Sequence, residues 1–271
     1  MIFTSEAVKF ASASLESFET FERRWESGED REGLAWRLIG LYYAAFYGAH
    51  AISRFLGVSL TNVATWKNVN SHFNLLYKTD EVPSLGIRTG YHLMTLSGDK
   101  RAIEVNDANA SKSLGSHGVT WREFRDLVDS VYANNSLNTT HQRRAVEDYV
   151  NVIGKSPGGV ASHQQWSWLS VYRNDINYKL LEDIWGKKNK RLPPSKAKLI
   201  HKIIKSPTDT LIINHSKDEN EVIRFVASCG YIVSVLCCLL REMEQRSTSE
   251  TFVPDVVIDR RRLIDKFSPP K

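Results

Sequence analysis

The stretch of sequence that most strongly indicates the fold is WSWLSVYRNDINYKLLEDIW, residues Trp166–Trp185. Its apolar side chains recur at steps of three and four residues, the period of a helix that buries one face. These positions are Trp166, Leu169, Ile176, Leu180 and Ile184. Arg173 falls in the same stripe. Because a guanidinium stays charged and is almost never buried without a partner, Arg173 should face a carboxylate, a polar interface or a bound phosphate. A structural ion pair and a functional site explain Arg173 equally well.

The length and composition indicate an ordinary globular protein. The chain has 271 residues, enough for one large domain or for one domain that carries an insertion. Lysine and arginine number 36 and aspartate and glutamate 31, so the net charge is +5. A balance of this size permits an anionic partner without requiring one, and only clustered charge would argue for nucleic acid.

The three cysteines, Cys229, Cys237 and Cys238, lie in one apolar segment. This placement provides neither a disulfide framework nor the separated ligand pairs of a zinc site, so we expect reduced core thiols, no metal and no cofactor. The N-terminus lacks the basic start and the continuous apolar block of a secretory signal. These features predict a cytoplasmic protein.

Two uncharged runs, Leu38–Ser53 and Phe225–Leu240, are each 16 residues long. A helix that spans a bilayer requires about 20 apolar residues, so both runs are too short. We therefore predict two central helices surrounded by others, and no membrane association.

Hydrophobic periodicity and capping patterns predict a mainly α protein. Ser5 is the expected cap of the first helix, Gly57 closes the second, and Thr120 with Glu123 forms a capping-box pattern at the start of a later one. Besides the central stretch, the predicted helices are Ser5–Trp25, Asp30–Leu56, Thr65–Tyr77, Thr120–Asn134, Gln142–Ile153 and Asp218–Arg246.

The segment 83–118 departs from this helical pattern. It contains five glycines, and YHLMTL and RAIEV flank Ser97–Lys100, a combination that predicts a small β-hairpin. We interpret the segment as an insertion in a helical domain of residues 1–246. Residues 247–271 are expected to form an extended C-terminal tail.

The common catalytic motifs are incomplete or missing in the sequence. Gly154-Lys155-Ser156 looks like the end of a phosphate-binding P-loop, but Tyr149 stands where that loop needs its first glycine. No HExxH or paired CxxC motif occurs, so zinc-peptidase and zinc-ribbon functions have no support.

One stretch of the chain, from Lys187 to Lys205, is strongly basic and holds no acidic residue. Such density suits phosphate backbones and makes binding steeply salt-sensitive. Pro193-Pro194 divides the stretch into an arm and a short helix, and a solvated loop would explain the charge as well. The candidate nucleic-acid-binding residues are Lys187, Lys188, Lys190, Arg191, Lys196 and Lys198, with Lys202 and Lys205 completing the cluster.

Two segments resemble a known superfamily. The segment YYAAFYGAHAISRFLG, Tyr42–Gly57, resembles the second helix of HEPN domains, an aromatic and alanine run that ends in glycine. The segment RNDINY, Arg173–Tyr178, resembles the polar motif of the same superfamily, in the branch that has tyrosine where most members have histidine. The resemblance implies an up-and-down helical bundle.

The resemblance also implies a metal-independent ribonuclease, commonly a toxin or antiviral effector, with a composite site where two polar motifs meet in a homodimer. In that site Arg173 would hold the scissile phosphate, while Asn174 and Asn177 would orient groups by hydrogen bonds. Tyr178 would stand in for the histidine, although a phenol with a pKa of about 10 is a poor base. Trp166, Trp168 and Trp185 flank the motif and are expected at the dimer interface.

Two other functions fit the residues. A non-catalytic HEPN-like module could use Arg173 and the basic stretch to bind nucleic acid, a nucleotide or a partner protein. A purely structural helical subunit would fit if Arg173 pairs with a core carboxylate. The expected partners of an effector are RNA, a second copy of the chain and a cognate regulatory or defence-system protein.

Overall fold

The computed structural model describes residues 2–26, 33–63, 90–98, 102–108, 115–133, 167–179, 193–206, 221–246 and 259–267. Within these ranges the protein is mainly helical, with one small three-stranded antiparallel sheet, so the predicted α class is confirmed. The helices are α1 (Ile2–Glu26), α2 (Leu34–Phe55), α3 (Gly115–Ala133), α4 (Trp168–Tyr178), α5 (Pro194–Lys205), α6 (Glu221–Arg246) and α7 (Arg261–Phe267). The strands are β1 (Val58–Val63), β2 (Gly90–Leu96) and β3 (Ile103–Asp107).

Helices α2 and α6 form the centre of the fold. Helix α1 packs along α2 and α2 packs on α6, while α5 and α7 contact α6, and α3 and α4 contact α2. Small side chains in α2 permit this close packing: a Cβ atom at Gly48 would lie 3.1 Å from the Ser14 hydroxyl and 3.4 Å from Ile232. The Ser14 hydroxyl in turn donates to the Ala44 carbonyl at 2.7 Å. The two uncharged runs are therefore central helices, as predicted.

Helix α6 is, among the described residues, the one helix long and apolar enough to cross a membrane. Within its most apolar window, 78% of the residues are buried inside the fold. This degree of burial is what the core helix of a soluble protein shows. The cysteines Cys229 and Cys237 are buried in α6, Cys238 is half-buried, and all three are free thiols, as predicted.

The predicted hairpin is present, and it belongs to a larger sheet. Strands β2 and β3 pair antiparallel, with Leu96 opposite Ile103. Strand β1 was not predicted. Its six residues pair with β2, from Val58 opposite Thr95 to Val63 opposite Gly90, so the sheet begins well before residue 83. A strand that depends on a partner about 30 residues away leaves little local signal.

Two helices begin earlier than their capping patterns predicted. Helix α1 begins at Ile2, so Ser5 lies inside the helix and does not cap it. Helix α3 begins at Gly115, and the Thr120 hydroxyl donates to the Ser116 carbonyl at 3.0 Å within the helix. The Ser5 and Thr120 cap predictions are therefore wrong. In α3, burial of Trp121 stabilises the helix on both sides of Thr120, which outweighs the local cap preference.

Part of the tail that was expected to be extended is helix α7. Leu263, Ile264 and Phe267 are buried, and α7 packs on α6. Lys266 also forms an ion pair with Glu22 of α1. Apolar spacing in a segment of only seven residues is a weak signal beside three consecutive arginines, which explains the missed helix. The predicted helices at 65–77 and 142–153 lie outside the described residues.

Candidate functional site

Helix α4 places Arg173 against α2. Leu169 and Ile176 are fully buried, which fixes the rotation of α4 and turns Arg173 toward Tyr43. One terminal nitrogen of the half-buried guanidinium donates to Asn174 Oδ1 at 2.8 Å, and the other donates to the Tyr43 hydroxyl. The Arg173 Cζ atom also lies 5.3 Å from the centre of the Tyr43 ring, within cation–π distance.

The charge of Arg173 is held by neutral groups. A guanidinium has five N–H donors, and only the two bonds above use them in the part of the chain that the structure describes. The Nε atom is buried there without a hydrogen-bond partner, and no described carboxylate forms an ion pair with Arg173. An unmatched donor in such a place costs about 1–3 kcal/mol. The structural ion pair considered for Arg173 is therefore not formed with any described residue, and each terminal nitrogen keeps a second N–H group that can bind an anion.

His117 of α3 lies in the same cluster. Its Nδ1 atom is 2.8 Å from the Tyr42 hydroxyl, which also accepts a hydrogen bond from Trp121 Nε1 at 3.0 Å. The ring stacks on Phe46, with the two ring centres 4.4 Å apart. Burial lowers the pKa of the half-buried His117 below its ordinary value of 6.5, and the positive charge of Arg173 lowers it further. His117 is therefore neutral at neutral pH.

Tyr42 connects His117 to the core. Its ring is fully buried and lies parallel to Phe225 of α6, and burial raises the pKa of its phenol well above the ordinary value. Tyr42 therefore stays protonated and can hold His117 by a neutral hydrogen bond. His117 was not predicted because it lies in the segment that was interpreted as an insertion. Its spacing of one helical turn from Trp121 is the signal that could have indicated its role.

A second histidine, His50, also packs against Phe46. The ring of His50 is 4.7 Å from Phe46, and its Nδ1 atom accepts a hydrogen bond from Arg54 at 3.0 Å, since a guanidinium can only donate. Arg54 also donates to Glu6 at 2.9 Å. Burial, followed by the charges of Arg54 and His117, lowers the pKa of His50 to about 3. His50 is therefore a hydrogen-bonded interior histidine.

The structure separates the residues of the predicted polar motif. Asn174 touches Arg173, whereas neither Asn177 nor Tyr178 hydrogen-bonds to Arg173 among the described residues. Tyr178 is the last residue of α4 and is 73% exposed. Residues five apart in a helix lie about 140° apart around its axis, so Arg173 can face α2 while Tyr178 faces solvent.

One tryptophan expected at a dimer interface lies elsewhere. Trp168 is only 1% exposed and packs against Phe225 in the core, so that expectation is wrong for Trp168. The ring of Trp168 lies in the core because this first residue of α4 is on the side of the helix that contacts Phe225 of α6. Trp166 and Trp185 lie outside the described residues.

The basic stretch is described only from Pro193 onward. It forms the predicted short helix, α5, with Ile200, Ile203 and Ile204 buried and with Lys198 and Lys202 exposed. Lys196 is half-buried, and Lys205 forms an ion pair with Glu26 of α1, which lowers the pKa of that carboxyl. Lys205 is thus already neutralised. The candidates Lys187, Lys188, Lys190 and Arg191 lie outside the described residues.

The fold and the site define a mainly helical protein in which tyrosines, an asparagine and a nearby histidine surround a half-buried arginine. No known protein family, curated protein or solved structure matches the chain. The resemblance to HEPN domains therefore rests on the two segments and their helices. Within the described ranges, no group of three or more His, Cys, Asp or Glu side chains is placed to hold a metal ion.

Proposed function

We propose that the protein is a HEPN-like ribonuclease that cleaves RNA without a metal ion at the Arg173 site. The observation that carries this proposal is the half-buried guanidinium of Arg173, which has spare donors and only neutral partners. An anion bound at this half-buried guanidinium would gain charge-assisted hydrogen bonds, which are about twice as strong as neutral ones. A phosphodiester has the charge and the acceptor oxygens for this role.

In this proposal Arg173 binds the scissile phosphate and stabilises the extra negative charge of its transition state. Asn174 orients the guanidinium through its amide oxygen, and the exposed lysines of α5 hold more distant phosphates. The proposed setting is a cytoplasmic effector or toxin of a defence or toxin–antitoxin system, controlled by a cognate protein, with an up-and-down bundle as its domain.

The second candidate is a non-catalytic module that binds nucleic acid, a nucleotide or a partner protein through Arg173. It is favoured by Tyr178, the motif residue in the place of histidine, because its ring is exposed and apart from Arg173. Such a module would bind RNA without cleaving it. Incubation of the protein with RNA in the presence of EDTA separates the two candidates, since only the ribonuclease yields fragments.

The proposed composite site requires a homodimer. Asn174 and Tyr178 are one helical turn apart and both are exposed, so the same face of α4 could meet its copy in a partner protomer. Tyr178 of one protomer would then approach the partner's Arg173. We expect light scattering at micromolar concentration to give twice the chain mass of 30.9 kDa. Tyr178→Glu should shift the protein to monomers, and a wild type that is monomeric at every concentration would exclude the composite site.

The basic face of α5 gives a separate prediction. Replacing Lys198 and Lys202 together by glutamine, which keeps helix propensity, should weaken RNA binding to a similar extent for every sequence. Each lost phosphate contact should reduce the slope of log affinity against log salt by about 0.7–0.9. The matched control replaces Arg23 and Arg24, two exposed cations of α1, by glutamine. Equal slopes for the two double variants would show that α5 is only a solvated helix.

A further inference from the structure

We infer that His117, supplied by α3, is the residue that transfers the proton when RNA is cleaved at Arg173, an inference that rests on the ribonuclease function proposed above. The polar motif on α4 contains no histidine, and its tyrosine is exposed and forms no hydrogen bond with Arg173 among the described residues. A histidine from a different helix, His117 of α3, contacts the same two tyrosines that contact Arg173.

The chemistry of the cluster favours His117 over its neighbours. Within one protomer, the described side chains that lie near Arg173 and can exchange a proton are Tyr42, Tyr43 and His117. Tyr42 is fully buried, and the Tyr43 hydroxyl already accepts from the guanidinium. Phenols also titrate near 10, whereas imidazole titrates near neutrality, where a general base is most effective. His117 is only half-buried, whereas Tyr42 is closed off from solvent.

The surroundings of His117 hold the ring in one orientation. Phe46 stacks on one face, and the Tyr42 hydroxyl meets Nδ1 at 2.8 Å. A hydroxyl can both donate and accept, so this bond persists in either protonation state of the imidazole. With Nδ1–H donating to Tyr42, the lone pair of Nε2 is free to take a proton. Tyr42 is thus a positioning residue for His117, and Trp121 anchors Tyr42.

The reaction step balances with these groups and water. His117 Nε2 removes the proton of the 2′-hydroxyl, and the 2′-oxygen attacks the adjacent phosphorus while Arg173 binds a non-bridging oxygen. The bond from phosphorus to the 5′-oxygen then breaks, and that oxygen takes a proton from water. The products are a 2′,3′-cyclic phosphate and a 5′-hydroxyl, and the protonated His117 returns its proton to solvent. DNA, which has no 2′-hydroxyl, should not be cleaved.

The titratable and charged groups that face His117 set the pH dependence of RNA cleavage. Tyr42, Tyr43 and His50 face it from α2, and Arg173 faces it from α4. Burial and Arg173 together keep the pKa of His117 in the free protein below 6.5, so its base form persists into mildly acidic solution. The value of kcat/KM should therefore stay level above pH 6.5 and fall only below it.

The test compares wild type, His117→Gln and His201→Gln on a mixed-sequence single-stranded RNA in EDTA. His201 is an exposed histidine of α5 and provides the matched control. We expect His117→Gln to lower kcat by about 10²–10⁴-fold with RNA affinity nearly unchanged, because proton transfer contributes that much. In this variant the fall in kcat/KM below pH 6.5 should be absent. His201→Gln should keep the wild-type kcat at saturating RNA.

Tyr42→Phe supplies a second variant, since it keeps the ring and removes only the hydroxyl that orients His117. This variant should have a lower kcat and an unchanged KM. A wild-type kcat and pH profile in both His117→Gln and Tyr42→Phe would overturn the inference, while Arg173-dependent cleavage by the wild type would leave the proposed function standing. A wild type that binds RNA through Arg173 but never cleaves it would overturn both the inference and the ribonuclease.

Discussion

Replacement of Arg173 by alanine should abolish RNA cleavage and weaken RNA binding while the protein stays folded. Loss of one donor to a charge that develops in the transition state typically costs about 10²–10³-fold in rate, and Arg173 supplies several donors. Its removal forfeits two hydrogen bonds to neutral partners but also relieves a buried, unmatched N–H. The free energy of unfolding should therefore change by no more than about 1 kcal/mol.

The measurements are the cleavage rate in EDTA, the dissociation constant for RNA and the thermal midpoint. Arg246→Ala, at an exposed ion pair near the end of α6, removes the same charge elsewhere and should leave all three unchanged. Arg173→Lys keeps the charge but not the planar array of donors, so it should retain part of the binding and lose cleavage. If Arg173→Ala unfolds the protein, Arg173 is structural and the ribonuclease proposal loses its support.

Acidification should destabilise the protein through His50. Its pKa is about 3 in the folded protein, against an ordinary value of 6.5. The unfolded chain therefore binds a proton that the folded chain excludes, so the stability that neutral His50 contributes is complete above pH 6.5. It is lost as the pH falls toward 3, at about 1.4 kcal/mol for each pH unit, or roughly 4–5 kcal/mol in all. Such a loss is large beside a typical total stability of about 5–15 kcal/mol.

Denaturant unfolding at a series of pH values measures this effect. His50→Gln removes the titrating group but keeps an acceptor for Arg54, so its stability should fall less steeply between pH 6.5 and 3 than that of the wild type. His201→Gln changes an exposed histidine and should follow the wild-type curve. Parallel curves for wild type and His50→Gln would show that the buried ring does not control acid stability.

Local pattern was a good guide wherever a residue's neighbours in the chain determine its state. The apolar run of α2 and its end at Gly57, which has a φ of +82° that favours glycine, were both predicted. The same holds for α6, for α5 behind Pro193, and for the turn between β2 and β3 at Ser97 and Gly98. Helical periodicity and turn chemistry act over a few residues, so both can be recognised in the sequence.

The features that were not predicted all depend on contacts between residues far apart in the chain. Strand β1 depends on pairing with β2, and the early start of α3 depends on packing of Trp121 against Tyr42, 79 positions away. Trp168 was placed at an interface because a tryptophan beside a polar motif fits either environment. Whether such a ring is buried depends on which helix packs over it. Periodicity alone does not predict which helices pack together.

The sequence by itself determined the helical class, the two central helices and an arginine that needs a charged or polar partner. Only the tertiary structure decided which groups surround that arginine. The hydrogen bond from Arg173 to Tyr43 joins residues 130 positions apart, and the one between Tyr42 and His117 joins residues 75 apart. Such contacts arise from the packing of α3 and α4 on α2, whose buried faces fix how each helix is rotated. That rotation places His117 beside the tyrosines and leaves Tyr178 in solvent.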